Sequence, residues 1–201
     1  VPYIHAAGEF KTKPTQHSVK QLQEAGIQPD ILVLRTEQAL QKDILAKVAQ
    51  FCNVAPDAVI QSIDMPTIYE IPLLLRDQKM DEAVRRKVGI EPGPRPEMKA
   101  WCAFVEKLKS AHEEVSIALV GKYVELQDAY KSIDESLLQS CTYNDKKLRL
   151  TSIQSEHITE ENVAELLSGF DGVLIAPGFG QRGVEGKLVA LKYTREKGIP
   201  T

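Results

Sequence analysis

Short unbroken apolar runs alternate along this chain with stretches whose apolar residues recur every three or four positions. Ile31-Leu32-Val33-Leu34, bounded by Pro29 and Arg35, predicts a strand buried on both faces. Val59 to Ile63 predicts another. Ahead of the first run, Ser18 to Gly26 has helical spacing. Val19, Leu22 and Ala25 share a face, Ser18 is placed to cap, and Gly26 is placed to terminate. Residues 38–51 repeat the helical pattern through Leu40, Ile44, Leu45, Val48 and Phe51. Pro66 to Lys79 predicts a helix with Ile68, Ile71 and Leu75 inward, and Pro72 is expected to kink or break it. Met80 to Val88 predicts a further short helix. At the start, Val1 to Ile4 reads as the tail of a strand.

The pattern pauses after Gly89. Pro92, Pro94 and Pro96 make an extended, semi-rigid connector. Helical spacing resumes from Met98 to His112 through Trp101, Val105 and Leu108. Val115 to Gly121 predicts a parallel-sheet strand, and Asp128 to Ser140 a helix capped by Asp128. Leu148 to Ile153 predicts a second strand. Thr159 to Leu167 predicts a helix whose Thr159 faces Asn162 in an imperfect capping box. Gly172 to Ala176 predicts a third strand, and Gly186 to Lys197 a closing helix. Strands alternate with helices on both sides of the connector. The expected class is therefore α/β, with two parallel-sheet units and right-handed crossovers. In such sheets ligands bind at loops following the carboxyl ends of strands.

Composition narrows the partners more than the chemistry. The chain has 201 residues, 43% hydrophobic and 26% charged, enough to build a core. With 25 Lys and Arg against 28 Asp and Glu, the formal charge is −3, which offers no electrostatic case for nucleic acid. No apolar run approaches the roughly 20 residues of a membrane span. Cys52, Cys102 and Cys141 are far apart and form neither a disulfide framework nor a zinc pattern. They fit small buried hydrophobes in a reducing, cytoplasmic setting. His5, His17, His112 and His157 lack metal-ligand spacing. Neither a charged, apolar signal segment nor an initiator Met opens the chain, and Lys197 to Thr201 stops where a new strand is expected. Both ends read as interruptions.

Three loops carry candidate chemistry. Gly8 to Ser18 reads as a loop between strand and helix and holds Lys11 and Lys13. Two ammonium groups, hydroxyls and backbone N–H groups near a helix start suit a polyanion, though a solvated basic loop reads equally well. It is not a Walker A loop, since the Gly-x-x-x-x-Gly-Lys spacing is missing. Gly121 to Ser132 is polar, with Tyr123 and Tyr130, and suits either a ligand or a plain helix start. Ala176 to Gly186 places Gly178, Gly180, Gly183 and Gly186 between a strand and a helix. Glycines there let backbone N–H groups approach an anion closely, and they equally suit a tight loop with positive φ.

Taken together, these segments resemble one family. Val1-Pro2-Tyr3, Gly8-Glu9, Lys11 to Val19, Gly26 to Asp30, Lys47, Phe51 to Val54 and Ile68 to Pro72 resemble the synthetase domain of CTP synthases. Ala118 to Tyr123, Asp128 to Ser132 and Gly178 to Lys187 resemble the start of their glutamine amidotransferase domain. The resemblance implies parts of two three-layer, parallel-sheet domains. One is P-loop or dethiobiotin-synthetase-like and one flavodoxin-like. Residues 1–88 would close the synthetase domain, 89–113 would link, and 114–201 would open the amidotransferase domain.

The implied reaction is ATP-dependent amination of UTP to CTP with ammonia from glutamine. Lys11, Thr12, Lys13, Pro14, Thr15, Gln16 and Lys47 would line the UTP site and the overlapping CTP inhibitory site. Ile63, Asp64 and Met65 match a stretch contacting the adenine of ATP. The backbone of Gly178 matches an oxyanion-hole donor in glutamine binding. Lys122, Tyr123 and Lys131 match positions near the domain interface. The resemblance also implies Mg2+, GTP as activator, and a homodimer or homotetramer without nucleic-acid or membrane partners. The family's metal carboxylates and cysteine nucleophile match no residue here, so the chain alone is expected to be inactive. The alternative is a non-catalytic pyrimidine-nucleotide-binding or regulatory module. One departure stands out: Ala176-Pro177-Gly178-Phe179-Gly180 replaces the usual Pro-Gly-Gly-Phe-Gly. Pro177 lacks an N–H, but the donor needed is at Gly178.

Overall fold

A computed structural model describes every residue except Gln127, which falls in the Gly121–Ser132 loop. Residues 1–98 form one compact unit and residues 99–201 a second. Both are α/β with parallel sheets.

The first unit opens with a small antiparallel hairpin, β1 (Tyr3–Ile4) and β2 (Glu9–Phe10). Gly8 turns it at φ +64°, and the rings of Tyr3 and Phe10 meet edge-on at 5.0 Å. Then come α1 (Lys13–Glu24), β3 (Leu32–Thr36), α2 (Lys42–Cys52) and β4 (Val59–Ile63). Next are α3 (Ile71–Asp77) and α4 (Met80–Val88). β3 and β4 pair in parallel from Leu32 opposite Val59 to Thr36 opposite Ile63, with α2 as the crossover. Val19, Leu34, Leu40, Val48, Ala49, Cys52 and Val59 form the core beneath them.

Three sequence expectations change here. Glu9 and Phe10, read as loop, are a strand. The segment from Lys13 to Ser18, also read as loop, is the first half of α1. Pro14 sits in its opening turn, where a missing N–H costs no hydrogen bond. Ser18 does not cap the helix: its hydroxyl donates to the Pro14 carbonyl at 3.1 Å, one turn back. The stretch from Pro66 to Lys79 does break at Pro72, as expected: a tight turn over Ile68–Glu70 ends there, and α3 starts afresh with Pro72 in its opening turn.

The second unit comprises α5 (Lys99–Ser110), β5 (Glu114–Gly121), α6 (Lys131–Tyr143) and β6 (Lys147–Gln154). It continues with α7 (Val163–Leu167), β7 (Gly172–Ile175) and α8 (Val184–Lys197). The parallel order is β6-β5-β7, so β5 is central. Its Ala118, Leu119 and Val120 are 0% exposed. Alternation sends Ala118 and Val120 to one face, with Val163, Leu167 and Ala190 of α7 and α8. Leu119 faces the other way, toward Tyr130 and Ile133. The result is three layers. At the lower end of β5, Ser116 donates through its N–H and its hydroxyl to the Asp171 carboxylate, both at 2.8 Å, joining β5 to the entry of β7.

α6 begins at Lys131, so Asp128 does not cap it and instead lies in a turn. α7 is shorter than expected, and Thr159 to Asn162 precede it. The Thr159 N–H donates to Asn162 Oδ1 at 2.8 Å, the return half of a capping box. Cys52 is buried, whereas Cys102 and Cys141 are only half-buried, and all three are free thiols.

Candidate functional site

In the first unit, β2 delivers the chain into α1, and the polar run stands at that junction. Thr12 is buried at the N-cap and accepts a hydrogen bond from Gln16 Nε2 at 3.0 Å. Lys13 and Pro14 are exposed in the first turn, and Thr15 and Gln16 are half-buried. First-turn N–H groups lack intrahelical partners and carry the positive end of the helix dipole. Lys11 is exposed, and its ammonium donates to the carboxylate of Glu9. That hydrogen bond, then the Lys11 charge and the more distant Lys47 charge, pull the Glu9 carboxyl below its ordinary value. Lys47 of α2 is therefore within electrostatic reach of the same spot. Glu9 itself was not singled out from the sequence.

Ile63, Asp64 and Met65 lie at the carboxyl end of β4. They line a cavity of about 300 Å³ together with Arg35, Ser62, Thr67 and Ile68. Arg35 Nε meets Asp64 Oδ1 at 3.4 Å, and the Asp64 N–H donates to the Thr36 carbonyl at 2.9 Å. The lining includes none of Lys11 to Gln16 and not Lys47. The two groups are separate features of one unit.

In the second unit, β5 and β7 run side by side, and both end at one rim. The order β6-β5-β7 places the topological switch there, since the chain leaves β5 toward β6 on one side and returns to β7 on the other. Gly178 is on the loop after β7, and Lys122 follows β5. The Lys122 N–H donates to the Tyr130 hydroxyl at 3.1 Å. The Lys122 carbonyl accepts from Gln154 Nε2 at 3.2 Å and from Arg182 Nη2 at 3.0 Å. Arg182 also pairs with Glu156 at 3.2 Å and lies 5.4 Å from the Tyr123 ring centre. The glycines of this loop have distinct reasons. Gly183 sits at φ +72°. A Cβ at Gly186 would fall 1.7 Å from the Ser155 carbonyl oxygen. Phe179 is 98% exposed at the tip.

Residues 1–90 match the family model described as CTP synthase N-terminus, and residues 125–201 match glutamine amidotransferase class-I. The chain is 71% identical over all 201 residues to a CTP synthase of Porphyromonas gingivalis. The chain belongs to the CTP synthase family. Over its full length it is also 59% identical to a CTP synthase of Bacteroides fragilis, and 52% identical over 200 residues to one of Flavobacterium johnsoniae. It spans 37–38% of the length of these CTP synthases.

Lys11 to Gln16, Lys47 and Ile63 to Met65 fall inside the CTP synthase N-terminus match, and Gly178 inside the amidotransferase match. Lys122, whose side chain reaches Phe179 across 57 residues of sequence, lies outside both. Only the folded sheet reveals that contact.

Proposed function

We propose that this chain is part of a CTP synthase, a ligase of pyrimidine biosynthesis that aminates UTP to CTP with ATP and glutamine-derived ammonia. Similarity over all 201 residues to enzymes of that name carries the reading. Residues 1–88 belong to the synthetase domain, 89–113 connect, and 114–201 belong to the amidotransferase domain.

The geometry is compatible with each step. A triphosphate needs cations and donors. Lys11, Lys13 and Lys47 supply point charges, Thr12, Thr15 and Gln16 supply hydroxyl and amide groups, and the opening turn of α1 supplies N–H groups. Pro14 keeps that turn rigid. The cavity at Ile63, Asp64 and Met65 offers apolar walls and a polar edge for adenine. ATP phosphorylates O4 of UTP, which turns a poor leaving group into a good one, and ammonia then displaces the phosphate. On the amidotransferase side, the Gly178 N–H is the donor for the oxygen that gains negative charge when the carboxamide of glutamine is attacked.

Mg2+ and GTP, a homodimeric or homotetrameric assembly and a cytoplasmic location belong to the same proposal. Among the described residues, no group of three or more His, Cys, Asp or Glu comes together as a metal site. None of these residues is assigned as a magnesium ligand. Among them, too, no helix is long and apolar enough to cross a membrane.

Two substitutions in the full-length enzyme test the assignment. Lys13→Ala is expected to raise KM for UTP and weaken CTP inhibition by about tenfold, leaving glutaminase turnover within about twofold. Gly178→Ala is expected to do the reverse. A Lys13→Ala enzyme with unaltered UTP dependence would refute the triphosphate assignment.

A further inference from the structure

Lys122 is only 4% exposed, although it carries an ammonium group. A lysine buried to that degree needs acceptors for its charge. Its Nζ donates to the carbonyl of Phe179. Its stem runs beneath the neighbouring glycine, where a Cβ on Gly178 would fall 2.8 Å from Lys122 Cε. A second lysine grips the other side of the same turn: Lys187 Nζ, from the first turn of α8, donates to the Ala176 carbonyl at 2.7 Å. Pro177 and Gly178 are thus held between two ammonium groups.

The chain has just left the sheet at this point. The Ala176 N–H still bonds the Val120 carbonyl at 2.8 Å, extending the β5–β7 ladder by one residue. Past Ala176 the turn depends on side chains for its geometry. The charges here are unbalanced. Lys122, Lys187 and Arg182 cluster around the turn, and Glu156 is paired with Arg182. Burial, and then the nearby Lys122 charge, push the Lys187 ammonium below its ordinary value, as expected for two cations sharing one small site.

We propose that Lys122 and Lys187 are positioning residues for glutamine hydrolysis. Together they orient the Pro177–Gly178 peptide, so that its N–H faces the reacting oxygen, and they place positive potential beneath it. The inference rests on the reading of Gly178 as the oxyanion donor. When a nucleophile bonds to the carboxamide carbon, the carbonyl electron pair moves onto oxygen. That oxygen keeps the charge until the C–N bond breaks and the nitrogen, taking up the proton that the nucleophile lost, leaves as ammonia. A donor fixed before the reaction stabilises this charge without reorganising. The ammonium groups hold the carbonyls of Ala176 and Phe179 on either side of that peptide, act through them, and do not touch the substrate.

The test uses the full-length enzyme with either glutamine or supplied ammonia as nitrogen source. Lys122→Met keeps the stem and removes the charge. It is expected to lower kcat for glutamine hydrolysis by about 10- to 100-fold, with KM for glutamine within about threefold. CTP formation from ammonia is expected to stay within about twofold. Lys187→Met is expected to produce the same selective loss, and it decides the matter if Lys122→Met does not fold. Glutaminase kcat within about twofold of wild type in the folded variants would overturn the inference, as would equal loss with both nitrogen sources. A wild-type enzyme that forms no CTP from either source would overturn the functional reading, and the inference with it. An active wild type with unaffected variants would overturn the inference alone.

Discussion

Lys11 meets its counter-charge two residues away, on the strand that leads into it. The Glu9 carboxylate accepts from its ammonium and lies within reach of Lys47. Both side chains are exposed, so the pair adds little to stability. Its meaning is local: a carboxylate occupies the place where the proposed triphosphate would put its own oxygens. Binding must displace Glu9 or share Lys11 with it. Glu9→Gln removes the competing charge and leaves the shape. In the full-length enzyme it is expected to lower KM for UTP by about two- to fivefold and to make CTP inhibit at lower concentration. Titrating initial rates against UTP checks this. A raised KM would mean that Glu9 helps to hold the nucleotide. From the sequence, Lys11 and Lys13 stood out by residue type, but the role of Glu9 did not, because side-chain pairing depends on how β2 enters α1.

At the level of elements, β4 and α4 were legible to the residue: Pro56 and Pro66 flank the first, and Gly89 ends the second. The proline-bearing helices were not. Pro14 was read as part of a loop and Pro72 as lying inside a longer helical stretch, yet each sits in a first turn, where its fixed φ suits the helix. The start of α8 shows another limit. Glycine spacing pointed to a tight loop, but the reason for Gly186 is the Ser155 carbonyl pressed against it. A methyl group there meets backbone, which cannot rotate away. Gly186→Ala is therefore expected to push α8 off the Ser155–His157 turn and to destabilise the second unit by about 1–3 kcal/mol. Urea unfolding of the full-length enzyme measures it, and a change below about 0.5 kcal/mol would show that the turn yields freely.

On the scale of the whole molecule, each of the two units builds a core from its own residues. That organisation was legible from the alternation of strands and helices on either side of the proline-rich stretch. Composition added little, since a formal charge of −3 fits many soluble enzymes. Val48 is 0% exposed in the first core. Val48→Ala is expected to cost about 1–3 kcal/mol, and the loss should stay in that unit. Amide exchange in the full-length enzyme should quicken across residues 32–63 and remain unchanged across 114–121. Faster exchange in both would mean the cores unfold as one. The contact least legible in the sequence joins Lys122 to Phe179 across the rim of the second sheet. Both lysines beneath that turn hold main-chain carbonyls, which every residue type possesses. Evolution can therefore rewrite the side chains at 177 and 179 with little effect on the grip. The lysines below, and the glycine that leaves Lys122 room, are the positions where drift would be punished.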